Sequence, residues 1–325
     1  MSDTKYLVLF LKGRRVPLDA AEQIAGYAAG RTVLVTEERA EIEKILDKIE
    51  IAAGDFPQEL IPRAPGLKWF QQWYAGADWL QRYPDAQKHP FTLTNASGIH
   101  GPQMAEHLFG LLIAWYRKFP EVFEAQKRHE WQRSILHKAG LLYEKSLLIA
   151  GFGSVGGHIA RIASAFGMHI TGVRRSPPPH DLPPGLEKIV SQECLETALG
   201  EADVVVNILP CTQETHHIFN GKTFEKMKQT ALFANIGRGP TVDETALAQA
   251  VRSGRIAGAV LDVTETEPLP PESPLWDIPG IIITPHYSGS HPQYDEIVFH
   301  LFLDNLKRYT SGSELRNIVN KTLGY

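Results

Sequence analysis

The chain of 325 residues is long enough for about two domains, each with its own core. Its 43% hydrophobic and 22% charged content is that of an ordinary globular protein, and a net charge of −4 with scattered lysines and arginines argues against nucleic acid as a partner. No run approaches the roughly twenty apolar residues of a membrane-spanning helix, which argues against a membrane role.

From the N-terminus, residues 6–10 predict a strand. The basic cluster Lys12, Arg14 and Arg15 follows this apolar run rather than preceding it, and no small-residue cleavage site is present, so it does not read as a signal peptide. A strand at 32–35, a helix around 41–46 and a strand at 69–72 complete what reads as a separate, smaller α/β unit.

From residue 146 the alternation strengthens. Strands are predicted at 146–150, 169–173, 203–209, 231–236, 257–263 and 281–284, and helices at 155–166, 192–199, 224–228 and 244–253. Strands separated by such helices predict a doubly wound parallel sheet, whose ligands lie beyond the carboxyl ends of the strands. Residues 293–309 then predict an amphipathic helix carrying Ile297, Val298, Leu301, Phe302 and Leu306, whose packing partner the pattern leaves open. The two cysteines, Cys194 and Cys211, lack CxxC or Cys/His ligand spacing, so no disulfide and no metal site is expected. A reducing cytoplasm is the expected compartment.

The residues after each strand carry the chemistry. Gly151-Phe152-Gly153-Ser154-Val155-Gly156 lies between a strand and a helix. Its first glycine permits a tight turn, its second lets a pyrophosphate approach the backbone, and its third lets the helix pack close. At the end of the next strand, an acidic residue would accept the ribose hydroxyls of NAD. Here stand Arg174, Arg175 and Ser176, whose guanidinium forks match the 2′-phosphate of NADP. The competing reading is a solvated strand end whose arginines touch nothing.

Further along, Arg238 sits between Gly237 and Gly239, where an open backbone suits a carboxylate clamp; a surface ion pair is the alternative. Asp262 ends an apolar strand. His286 follows the last strand, where a carboxylate partner would orient its ring and raise its pKa, making it a proton donor at neutral pH.

These segments together resemble the D-isomer-specific 2-hydroxyacid dehydrogenases. The resemblance rests on Tyr74-Ala75-Gly76-Ala77-Asp78, Leu93-Thr94-Asn95, Met104-Ala105-Glu106-His107, the Gly151 loop, Asn207-Ile208-Leu209-Pro210, Asn235 to Gly239, Leu261-Asp262-Val263, Glu267-Pro268-Leu269 and Thr284-Pro285-His286. It covers essentially the whole chain.

The resemblance implies an α/β architecture of two Rossmann-like doubly wound domains. The substrate domain, 1–100 with 288–325, is discontinuous, and the dinucleotide domain, 101–287, is inserted in it. Junctions are expected near 99–102 and 287–292. It also implies that Arg238 binds the 2-keto acid, that His286 donates the proton and that Glu267 pairs with His286. Asp262 would hold the nicotinamide carboxamide, Ser154 and Val155 the pyrophosphate, and the amides of Gly76 and Ala77 the substrate carboxylate. Leu209, Pro210, Thr215 and Ile236 would line the cofactor.

Tyr74 and Tyr287 depart from the family in bulk and are read equally as pocket lining or packing. The helix after Met104 and the loop with Trp131 resemble an arm that embraces a second subunit, so a homodimer is expected.

The function implied is reduction of a small 2-keto acid, such as glyoxylate or hydroxypyruvate, with NADPH as cofactor and NAD as the alternative. A dinucleotide-sensing, corepressor-like binding protein and a short phosphoglycerate dehydrogenase remain alternatives. Glu267 stands where formate dehydrogenases carry glutamine, which argues against that activity.

Overall fold

A computed structural model describes residues 4–175, 182 and 185–324. The chain divides into two compact units, Met1–Ile99 with His291–Tyr325, and His100–Ser290.

The first unit holds five parallel strands, β1 (Tyr6–Phe10), β2 (Thr32–Thr36), β3 (Ile49–Gly54), β4 (Trp69–Gln72) and β5 (Thr92–Thr94), in the order β2-β1-β3-β4-β5. The residue pattern predicts neither β5 nor β3, although β3 is the central strand. All six of its residues are buried, so it shows no polar alternation, and Glu50 within it looks like a helix surface residue. Glu50 stays ionised there. Burial pushes its pKa up, but hydrogen bonds from Arg31 (2.6 Å) and Lys5 (2.9 Å) outweigh that and lower it to about 2. The helix expected around 41–46 runs Arg39–Lys44 and gives way to a short 3₁₀ turn, Leu46–Lys48, that feeds β3 directly.

The C-terminal helix, Tyr294–Ser311, completes this unit. Val298, Phe299, Phe302, Leu303 and Leu306 pack on Leu7, Leu9, Ile51, Ala53, Trp69 and Trp73. Each fully buried side chain of this size contributes about 1.5–3 kcal/mol, so segments from opposite ends of the chain are bound into one core. The buried stripe is rotated from the expected one: Ile297 is exposed, and Phe299, Leu303 and Asn305 take inward positions. Asn305 donates to Gln71 (2.9 Å) and accepts from the Arg316 backbone (2.8 Å), which tolerates a polar group on the inner face.

The second unit holds seven parallel strands, β6 (Ser146–Ala150), β7 (His169–Arg174), β8 (Lys188–Ser191), β9 (Val204–Asn207), β10 (Leu232–Asn235), β11 (Gly258–Leu261) and β12 (Ile281–Ile283), ordered β12-β11-β10-β9-β6-β7-β8. Alternate residues feed separate cores on the two faces: Leu148, Ala150 and Val205 on one, Leu147, Ile149, Val204 and Val206 on the other. The direction of winding reverses between β6 and β9, so the crevice beyond their carboxyl ends is this sheet's expected ligand position. The sequence reading lacks β8, a half-buried edge strand. It also takes 192–199 as one helix, where a 3₁₀ turn (Gln192–Cys194) leads into a helix at Leu195–Glu201. β9 stops earlier than expected because the Asn207 side chain accepts from the Leu209 N–H (3.1 Å) and turns the chain out of the ladder.

Candidate active site

Asn207 and Asn235 stand opposite each other in the parallel register of β9 and β10. Both are buried and bonded side chain to side chain (3.0 Å), and Asn207 also donates to Thr241 Oγ1 (2.6 Å). Thr241 Oγ1 and Asn235 Nδ2 in turn donate to the Arg238 carbonyl, at 2.6 and 3.2 Å. This satisfied polar network fixes the backbone that presents Arg238 beyond the strand end. Gly239 is obligatory beside it: a Cβ there would lie 1.8 Å from the Thr264 carbonyl oxygen, so the loop after β10 runs directly against the loop after β11.

That second loop carries Glu267, which accepts the Thr264 N–H (3.1 Å) and lies 2.7 Å from His286 Nδ1. With Nδ1 donating to Glu267, Nε2 is the ring nitrogen left to exchange a proton. The Glu267 hydrogen bond raises the His286 pKa above its ordinary 6.5; burial and the nearby Arg238 charge oppose this without cancelling it. Burial pushes Glu267 up, but the His286 and Thr264 hydrogen bonds, with the His286 and Arg238 charges, bring it below the usual carboxylate value.

His286 itself is held in the left-handed region, at φ 49. Asp262 supports that conformation. Its backbone carbonyl accepts from His286 N (2.7 Å), and its fully buried carboxylate accepts from Thr284 Oγ1 (2.7 Å), Tyr287 N (3.2 Å) and Ser288 N (3.1 Å). Asp262 is thus the internal anchor of the loop that carries His286, a role the sequence does not reveal.

His107, absent from the expected site, joins the same chain of bonds. Thr284 gives its proton to Asp262, so its oxygen accepts from His107 Nε2 (3.0 Å), and Tyr287 packs edge-on against the His107 ring at 4.8 Å. Burial lowers the His107 pKa although Asp262 acts against it, so the two nearby imidazoles shift in opposite directions. Its signal was its place in the Met104-Ala105-Glu106-His107 segment, where only contact with Thr284 gives it meaning.

At the switch point, Gly151 has φ +97, and a Cβ there would meet the backbone of Ile208 and Leu209 at 2.9 Å. Its N–H and that of Phe152 bond to the Val173 carbonyl (3.0 and 2.8 Å), which draws the glycine loop against the end of β7. The helix Ser154–Ala165 begins with no side-chain cap, so its first amides present a partial positive charge to an anion. A Cβ at Gly153 would find only the Gly151 oxygen, at 4.0 Å, so the second glycine has open space beside it.

Arg174 ends β7. Arg175, next in sequence, pairs with Glu214, so it is not an idle surface charge. Ser176 lies outside the described residues. Thr215 closes its own loop by donating to the Pro210 carbonyl (2.6 Å), Leu209 is buried, and the Ile236 side chain lies wholly in the core.

In the first unit, the Tyr74-Ala75-Gly76-Ala77 turn has its carbonyls bound inward. Gln72 Nε2 donates to Tyr74 O (2.8 Å) and Gly76 O (2.7 Å), and Asn95 Nδ2 donates to Ala75 O (2.7 Å). Tyr74 packs under the Arg14 guanidinium, 5.8 Å from its ring centre; burial and Asp55 push its phenol pKa up.

A family model, described as the NAD binding domain of D-isomer specific 2-hydroxyacid dehydrogenases, matches residues 109–288. The chain belongs to the D-isomer specific 2-hydroxyacid dehydrogenases. This dehydrogenase is 38% identical over 220 residues to glyoxylate/hydroxypyruvate reductase B of Escherichia fergusonii, covering 67% of each chain. It is 32% identical over 295 residues to the glyoxylate reductase of Thermococcus litoralis, covering 88% of this chain and 85% of that one.

Among solved structures, a D-isomer specific 2-hydroxyacid dehydrogenase family protein from Aeromonas salmonicida is 35% identical with a TM-score of 0.83, covering 98% of this chain and 99% of its own. An NADPH-dependent glyoxylate/hydroxypyruvate reductase from Sinorhizobium meliloti, solved with NADP and sulfate, is 28% identical with a TM-score of 0.83, covering 99% and 100%.

Proposed function

We propose that this dehydrogenase reduces a small 2-keto acid of the glyoxylate or hydroxypyruvate class to the D-2-hydroxy acid, using NADPH in preference to NADH. The observation that carries the reading is the Glu267–His286 pair at 2.7 Å, held beyond the same sheet edge that presents Arg238. The names of the relatives from E. fergusonii, T. litoralis and S. meliloti support the substrate class.

The residues around the switch point fit a dinucleotide: open space at Gly153, uncapped helix amides at Ser154 and Val155, and an arginine pair at the neighbouring strand end. NADPH, when bound, supplies the hydride. Arg238 orients the keto acid and stabilises the charge that develops on its carbonyl oxygen. His286 Nε2 delivers the proton to that oxygen, and Glu267 keeps the ring oriented and cationic beforehand. Asp262 holds the His286 loop in place, and we assign it the nicotinamide carboxamide as well. We assign the amides of Gly76 and Ala77 to the substrate carboxylate; the inward binding of that turn's carbonyls supports this. Gly151, Gly153 and Gly156 shape the pyrophosphate cradle, with Leu209, Pro210, Thr215 and the Ile236 backbone beside the cofactor. Arg174 and Arg175, with Ser176, are assigned to the 2′-phosphate, which competes with Glu214 for Arg175.

We further read the chain as a cytoplasmic homodimer. Both cysteines are free, and no described helix is long and apolar enough to cross a membrane. Phe119, Phe123, Trp131, Leu136, Leu141 and Tyr143 leave large apolar side chains exposed on a short stretch of chain, which favours a second copy as their cover. Sedimentation velocity tests this, and a monomer with full activity would refute it.

The enzymatic test is a panel of 2-keto acids with both cofactors. Turnover is expected with NADPH, and oxidation of neither cofactor by any acid would favour a sensing role instead. Replacing Arg174 and Arg175 together with alanine should weaken NADPH roughly 10–100-fold more than NADH, the value of one or two lost charge-assisted bonds. Equal losses for both cofactors would remove the arginines from phosphate binding.

A further inference from the structure

Away from the proton-transfer pair, two imidazoles and a carboxylate converge from distant parts of the second unit. His216 and His217 lie in the segment between β9 and β10, and Glu265 in the loop after β11. Their ligand atoms all lie within 4.8 Å of one another. We propose that His216, His217 and Glu265 form a binding site for a divalent late first-row transition ion of the zinc or nickel class.

The donor set selects that class. Two neutral imidazoles with one carboxylate suit zinc, nickel or copper, whereas magnesium and calcium take oxygen ligands. Three protein ligands leave a position for water, the composition of an open rather than a closed zinc site.

The geometry is close to what an ion needs. The two rings stack with centroids 4.0 Å apart and planes at 29°, and a ligand nitrogen of each lies within 4.8 Å of the other and of a Glu265 oxygen. His217 Nε2 is already 2.7 Å from Glu265 Oε1. Metal–ligand bonds of about 2.0–2.2 Å in a tetrahedron place donors roughly 3.3–3.5 Å apart. The His217–Glu265 pair must open slightly and the widest pair close by about an ångström, within the reach of side-chain rotation.

The backbone that carries the donors is anchored independently of any ion. His217 N donates to the Pro240 carbonyl (3.0 Å), Asn220 Nδ2 donates to the His217 carbonyl (2.8 Å), and Glu265 N donates to Glu244 Oε1 (2.6 Å). Close passage of Gly239 against Thr264 holds the loop after β10, to which His217 is bonded through Pro240, against the loop that carries Glu265. The site is thus partly preorganised, and its carboxylates, with Glu244 and Glu267 near Glu265, favour a dication. His217 and Glu265 remain about a third exposed, at 35% and 37%, so solvent and a metal ion can enter. Glu265 precedes Glu267 by two residues, so an ion bound here stiffens the segment that orients the proton donor.

The test uses the full chain, stripped with a chelator and titrated with Zn²⁺ by calorimetry and with Co²⁺ by visible absorption. One ion per chain is expected at roughly micromolar affinity or tighter, with a ligand-field band for Co²⁺ and no displacement by excess Mg²⁺. His216→Gln and Glu265→Gln should each weaken binding at least ~10-fold, as loss of a metal-site group does, while His286→Gln leaves it unchanged. Thermal unfolding of each variant without metal checks that it is folded; His216 is exposed, so its replacement keeps the test usable if another variant fails to fold. No saturation below millimolar Zn²⁺ would overturn the proposal. So would binding retained in both the His216 and Glu265 variants, or binding lost in His286→Gln, which would place the ion on the proton-transfer pair instead.

Discussion

Two doubly wound parallel sheets make up this protein, and the exits from their first strands differ. After β1 the chain closes on itself: Arg14 reaches back to Asp55 (2.8 Å) and toward Asp295 (3.6 Å), and the helix that follows, Ala20–Ala25, has only six residues. After β6 the chain opens: Gly151 turns at positive φ, Gly153 borders free space, and a twelve-residue helix points uncapped amides outward. One topology therefore ends in an internally neutralised turn in one unit and in an open, uncapped crevice in the other. Topology provides the strand ends, and the residues immediately after them decide their use.

The largest blow to the second unit's side of this contrast should come from His286→Ala. With the general acid removed, kcat should fall ~10²–10⁴-fold while NADPH still binds by fluorescence titration; near-normal turnover would place proton donation elsewhere.

Glu267→Gln comes next. Because Glu267 raises the His286 pKa above 6.5, the acidic form persists to higher pH in the native enzyme, and reduction declines only as pH rises through that raised value. Without the carboxylate, the alkaline limb of the kcat/KM profile should move to lower pH, and turnover at neutral pH should fall. A limb that stays in place would deny Glu267 this role.

Matched glycine substitutions probe the two strand exits directly. Gly151→Ala meets backbone at 2.9 Å and should weaken both cofactors about tenfold or more, whereas Gly13→Ala, also at positive φ but with nothing within 4 Å, should cost only the conformational strain of about 1–2 kcal/mol in stability. Equal effects on cofactor affinity would erase the distinction between the exits.

The smallest expected effect is His107→Gln, which keeps a donor for Thr284 but alters its reach: kcat should drop roughly 2–10-fold, about one neutral hydrogen bond, with cofactor affinity unchanged. A purely structural residue would lower the melting temperature without touching kcat.

Much of this site was legible in the sequence, for local reasons. The glycine loop demands left-handed backbone and close approach, properties tied to a residue type, so its spacing carries its meaning. Arg238 and His286 could be singled out because each follows a strand in a fold whose ligands meet strand ends, and Glu267 through the family resemblance. The central strand β3 was hidden by complete burial, and the C-terminal helix kept its length while its buried stripe turned toward Phe299 and Leu303.

The sequence by itself determined the parallel α/β pattern, the dinucleotide turn and the inventory of chemical groups, because these depend on neighbours a few residues away. Tertiary structure alone decided that Asp262, Thr284 and His107 join into one chain of bonds behind His286, that Arg175 answers Glu214, and that His216 and His217 face Glu265. Those contacts arise where the parallel sheet from β7 to β12 and the helix Gly101–Tyr116 bring residues from distant positions to the strands' carboxyl ends, and pairing at that range leaves no periodic trace in a single chain.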